Sequence, residues 1–184
     1  VQNSTSIDLT GSFTIEAWVN PSTLSGLSKG IVAKGGNLGT FLKYSLRLNT
    51  SGRFSVITNG SPRLTSKTNT PVRINEWNHV SATYNSSTNL FSIYLNGILD
   101  TTAVIAGAAP GANSDSLFIG ISGTATPFSG QLDEVRIWNR ELSSAEVSRY
   151  MRTTLGTSSG VYTGLVLSMT FQRLSNVSPF TADD

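Results

Sequence analysis

Short runs of alternating apolar and polar residues, broken every ten residues or so by turn signals, leave this chain few folds to choose from. In SFTIEAWVN, Phe13, Ile15, Ala17 and Val19 fall on one side of a strand and Thr14, Glu16, Trp18 and Asn20 on the other, and Pro21 ends the run. GIVAK is short and apolar and stops at Gly35-Gly36. YSLRL and RFSVIT flank Thr50-Ser51-Gly52; WNHVSATY and LFSIYL flank residues 85–89; Asn96-Gly97 turns LFSIYL into ILDTTAVI. Each is a hairpin signature, Asn-Gly the strongest of them. A small-residue loop, AGAAPGANSDS, leads to LFIGI, and a second loop, SGTATPFSG, to QLDEVRIWN. There Leu132, Glu134, Arg136 and Trp138 alternate against Asp133, Val135, Ile137 and Asn139. Only one helix is expected. Ser143 and Glu146 form a capping box that opens it, and it runs to about Met151. An antiparallel, all-β sandwich or barrel follows.

Composition narrows the function classes. A chain of 184 residues is expected to form one domain that buries about 70% of its unfolded surface, enough for a core without cross-links. It contains no cysteine, which excludes disulfides, zinc–thiolate sites and thiol catalysis. Net charge is +2 with dispersed lysines and arginines, so no nucleic-acid partner is expected. No apolar run reaches the roughly 18 residues of a membrane span. The opening VQNSTSIDL has no signal-peptide pattern and reads like the middle of a mature protein, so a fragment or processed form is expected. After the helix, TTLGTSSGVYT has linker composition, GLVLSMTFQ reads as one further strand, and RLSNVSPFTADD as loosely ordered. The expected organisation is one domain over 1–151, with a linker and an extra strand over 152–184. That strand either closes the same sandwich or opens a following module.

The blocks SFTIEAWV, IVAKGG, WNHVSATY, LFSIYLNG, LFIG and FSGQLDEVRIWNRELSSAEV, in this order, carry a family resemblance. Over residues 6–151 the chain resembles the laminin-G-like, concanavalin A-like jelly-roll modules of large extracellular bacterial proteins. The resemblance implies two antiparallel sheets packed face to face and a place outside the cell or on its surface. The family's usual opening strand, upstream of SIDL, has little room here. GLVLSMTFQ is similar to the strand that often opens the next module of a tandem array, and an array excerpt is the favoured expectation.

Related folds include glycoside hydrolases, whose carboxylates share one strand face. Retaining hydrolysis needs two carboxyl groups about 5–5.5 Å apart, inversion about 6.5–9.5 Å. Asp133 and Glu134 are neighbours, so strict alternation points them to opposite faces. Neither has an acidic partner two or four residues away on that strand, and Glu16 has none on its own. His79 is the only histidine, and in WNHVSATY it is expected to be a structural strand residue. No catalytic residue is assigned.

Two binding chemistries remain. The resemblance implies one structural calcium ion, with Asp133 as its carboxylate ligand and backbone carbonyls near Gly11 and Ser12 as companions. Otherwise Asp133 accepts backbone hydrogen bonds without metal. Sugar binding needs an exposed aromatic face flanked by polar groups. Trp18, Trp77 and Trp138 lie in family-matching blocks and are expected in the core. Tyr44, with Arg47 and Asn49 nearby, is the candidate left to face a groove. The expected function is therefore a non-catalytic module that binds a glycan or a surface protein within a larger secreted or surface-anchored protein. The alternative is a structural or adhesive repeat that assembles with neighbouring modules, its tail adding a strand to a neighbour's sheet.

Overall fold

A computed structural model describes residues 1–24, 27–36, 42–67, 72–121, 127–153, 155 and 162–171. Most of the expected linker at 153–163 and all of the tail at 173–184 lie outside the described residues. The strands are β1 (Phe13–Pro21), β2 (Lys29–Lys34), β3 (Tyr44–Leu48), β4 (Phe54–Thr58), β5 (Ser61–Thr65), β6 (Asn78–Asn85), β7 (Leu90–Leu95), β8 (Ile98–Val104), β9 (Leu117–Ile119), β10 (Gly130–Trp138) and β11 (Leu165–Met169). The helix α1 (Ser144–Tyr150) follows β10, and a short 3-10 turn (Thr5–Ile7) precedes β1.

Two antiparallel sheets form the expected jelly-roll sandwich: a six-stranded one in the order β11-β10-β1-β6-β7-β8 and a five-stranded one in the order β5-β4-β3-β2-β9. Between them lies a single large core. Phe13, Ile15, Ala17 and Val19 of β1 enter it as their alternation predicts, meeting Tyr44, Leu46 and Leu48 of β3 from the opposite sheet. Asn96-Gly97 makes the β7–β8 turn with φ of 50° and 78°, the doubly left-handed geometry that favours this pair.

Three features depart from the sequence reading. β5 is not among the expected strands; it follows the Asn59-Gly60 turn and is an edge strand paired only with β4, where the N–H that Pro62 lacks costs no ladder bond. The alternation of β10 is not strict. Between the Glu16↔Arg136 and Trp18↔Asp133 pairs, β10 places Val135 and Glu134 against the single Ala17, with Glu134 at φ 49°. This bulge shifts the phase, so Leu132 packs against the same core as Val135 and Ile137 rather than on the opposite face. Finally, the polar side of β1 is buried as well. Residues 139–153, including α1, and Leu155 cover that face and build a second cluster of Tyr94, Trp138, Leu142, Val147 and Leu155.

The strand after the helix is hydrogen-bonded to β10 of its own chain, with Arg136 opposite Ser168 and Ile137 opposite Leu167. It forms the edge of the six-stranded sheet.

Candidate functional site

Trp77 was expected in the core and is instead 44% exposed. It immediately precedes β6, so it lies outside the strand's alternation. Its loop is held firmly. The buried Asn78 accepts from Arg73 N and donates through Nδ2 to the carbonyls of Arg73 and Glu76, at 2.8–3.1 Å. Asn75, at φ 57°, donates its N–H to Pro21 O at the end of β1. Asn96 then accepts from His79 N one residue into the strand. The indole therefore projects from a braced turn.

On either side of Trp77 lies a depression. One, about 490 Å³, is walled by Ile119, Phe128, Gln131, Asp133 and Phe171. The other, about 480 Å³, is walled by Lys67, Arg73, Glu76, Leu99 and Asp100. Both volumes fall in the range of small-ligand sites. Gly130 lets β10 begin at the first of them: a Cβ there would lie 2.1 Å from Asn20 O. Asp133 Oδ1 accepts from Glu134 N at 2.7 Å and Phe171 N at 2.9 Å, fixing the half-exposed Phe171 at the rim. Trp77, Phe128 and Phe171 thus supply aromatic surface, and Gln131 and Asp133 supply polar groups. Sugar binding commonly needs this combination: an apolar ring face to stack on and fixed hydrogen-bonding groups beside it.

The other sequence candidates fall elsewhere. Tyr44 is fully buried and donates its hydroxyl to Ile7 O at 2.8 Å; burial pushes its pKa well above the usual phenol value. Arg47 is three residues on and so faces outward from the five-stranded sheet, its pKa lowered by partial burial. Asn49 ties the β3–β4 turn, accepting from Ser51 N and Arg53 N. Tyr44, Arg47 and Asn49 therefore form no groove: alternation sends the first inward, and the last is spent on the turn.

The expected calcium ligands are likewise not brought together. β10 does lie beside β1, but antiparallel register puts Asp133 opposite Trp18. Ser12 is six residues back along the strand, about 20 Å away. Asp133 already accepts two backbone N–H groups, and among the described residues no three His, Asp or Glu side chains are grouped to hold a metal. The residues Asp133, Gly11 and Ser12 do not fit a shared calcium ion.

The carboxylates do not pair as in a hydrolase either. Asp133 lines the depression beside Trp77, whereas Glu134 turns to the covered face and binds Arg136. The bulge, rather than strict alternation, separates them. Arg136 is buried and donates to Glu16 Oε1 (3.4 Å) and to the carbonyls of Tyr150 and Thr153 (both 2.7 Å), at the C-terminal end of α1. Trp138 Nε1 also donates to Glu16, at 3.1 Å, and His79 Nε2 lies 3.5 Å from Glu16 Oε2. Trp18 stands edge-on to His79 and donates to Met151 O. Trp138 and His79 are buried, while Trp18, expected in the core, is half-buried and outside both core clusters. The guanidinium neutralises two carboxylates and satisfies helix-end carbonyls in one place.

Residues 1–148 match the family profile of the concanavalin A-like lectin/glucanases superfamily. The chain belongs to this superfamily. No curated protein sequence matches it. Among solved structures, a carbohydrate-binding protein from Bacteroides ovatus, itself assigned that role provisionally, aligns with a TM-score of 0.72 and 24% identity over 91% of this chain. The chain spans 47% of the length of that relative. The CBM40 module of a Ruminococcus gnavus sialidase, solved with α2,3-sialyllactose, aligns with a TM-score of 0.63 and 15% identity over 82% of this chain and 95% of its own. Domain 4 of the extracellular arabinanase AbnA from Geobacillus stearothermophilus, solved with arabinotriose, gives 0.61 and 17% over 78% of this chain and 68% of its own. At these identities the likeness to each is one of fold. β11 lies outside the residues of the superfamily match yet inside the sheet.

Proposed function

We propose that this superfamily member is a non-catalytic carbohydrate-binding module of a secreted or cell-surface multidomain protein, with Trp77 as its stacking platform. The observation that carries the reading is a large indole, 44% exposed on a braced loop between two depressions. A tryptophan that served only packing would bury more of its ring. Support also comes from relatives of the same fold solved with oligosaccharides. The clamped Glu16–Arg136–Glu134 arrangement favours a binding role over hydrolysis, because both carboxylates are held by the one buried guanidinium. Among the described residues no helix is long and apolar enough to cross a membrane.

The test is glycan-array screening followed by calorimetry with wild type and Trp77→Ala. Saturable binding that Trp77→Ala abolishes, with an unchanged circular dichroism spectrum, is expected. Binding that survives Trp77→Ala would move the site elsewhere.

A further inference from the structure

The two sides of Trp77 differ in charge. Among the described residues lining the depression walled by Phe128 and Phe171, the only ionisable group is the Asp133 carboxylate. On the opposite side two cations, Lys67 and Arg73, stand with two carboxylates, Glu76 and Asp100, and Arg73 is paired with Glu76 at 3.2 Å. Asp133 is also fixed in place. Two backbone N–H groups hold its Oδ1, and its Oδ2 makes no hydrogen bond among the described residues, leaving that oxygen to accept from a ligand. Gln131, exposed beside it, offers both a donor and an acceptor.

We propose that the Asp133 side of Trp77 is a subsite for a neutral sugar unit and selects against acidic sugars. The inference rests on the carbohydrate-binding reading and adds the ligand's charge class. A neutral unit stacks on Trp77 and donates a hydroxyl to Asp133 Oδ2, a charge-assisted hydrogen bond. A sialate or uronate in the same place sets its carboxylate against Asp133 with no cation from the described lining residues to offset it. Like charges so close repel.

The experiment is a glycan array printed with matched neutral and acidic chains, such as galactan with galacturonan and lactose with 3′-sialyllactose, read with wild type, Trp77→Ala and Asp133→Asn. Asparagine keeps an oxygen for the Glu134 and Phe171 N–H groups, so the rim is preserved, and it removes the charge. The neutral member of each bound pair is expected to bind at least tenfold more tightly, on the order of 1.4 kcal/mol. Asp133→Asn is expected to narrow that gap several-fold, and Trp77→Ala to abolish both signals. Equal binding of neutral and acidic partners, or a preference that Asp133→Asn leaves unchanged, overturns this inference and spares the carbohydrate reading. Binding to no glycan on the array overturns both.

Discussion

Arg136 shows how one side chain settles the character of a whole face. It is 1% exposed and flanked by Glu16, which is wholly buried, and by Glu134. Removing one partner of such a group strands a charge in a low-dielectric site, which costs about 3–5 kcal/mol. Arg136→Met is therefore expected to lower unfolding free energy by that amount in urea titration, and Glu16→Gln in the same chain to recover part of it. A loss under about 1 kcal/mol would mean that the cluster is solvated. Lys34 plays a similar part at the other sheet. Its buried ammonium meets Asp8 at 3.3 Å, Asn3 Oδ1 at 2.5 Å and the Asp115 carbonyl at 2.7 Å. These roles were hidden in the sequence because a partner 120 residues away leaves no local pattern. Trp77 was misplaced for a related reason: it sits one residue before its strand, where alternation has no say. Trp138 and His79 are buried, whereas Trp18 is half-buried beside Met151 and Thr153.

At the scale of elements, α1 was legible to within a residue because its start is chemical rather than statistical. Ser143 Oγ accepts from Glu146 N and the Glu146 carboxylate accepts from Ser143 N. Ser143→Ala is expected to cost about 1 kcal/mol by denaturant melting. Arg140 hydrogen-bonds Glu146 and, with the Ser143 bonds, lowers its pKa from 4.5 to about 2. A depressed carboxylate contributes stability above its unfolded pKa and loses it as pH falls through the folded one. The stability difference between wild type and Glu146→Gln is thus expected to be constant above about pH 5 and to shrink from there toward pH 2; the pair is partly exposed, so the change is small. A difference independent of pH over that interval would contradict this assignment. The turns at 50–52, 85–89 and 96–97 were equally legible, and Gly97 shows why: besides its positive φ, a Cβ there would lie 2.8 Å from Met151 Sδ; the Asn59-Gly60 turn between β4 and β5 was missed. The β10 bulge was not, because nothing in QLDEVRIW marks an extra residue until its partner strand is known.

For the molecule as a whole, the order of strands and turns specified the sandwich, and the core residues of β1 and β3 followed from period-two alternation. What sequence left open was the place of the last strand, since one apolar run can pair with any free edge. In the structure β11 covers β10, shielding the strand that carries both Asp133 and Arg136. A chain ended at residue 161 is expected to keep its fold, melt at lower temperature and exchange the amides of Val135 to Trp138 faster; unchanged exchange there would show that β11 does not pair in solution. Calcium at millimolar concentration is expected to leave the melting temperature of the whole chain where a chelator leaves it, because Asp133 and the Gly11–Ser12 carbonyls are far apart; a rise with calcium would overturn that.

The most direct test of the proposed glycan site uses the three tryptophans as internal probes. Trp18 and Trp138 hold their indole N–H groups in bonds to Met151 O and Glu16, away from the depressions, whereas Trp77 stands between them. Titration of a neutral oligosaccharide selected on the array, followed by NMR of the indole N–H signals, should shift the Trp77 resonance saturably and leave the other two in place. A ligand that binds while the Trp77 signal stays fixed would contradict the account.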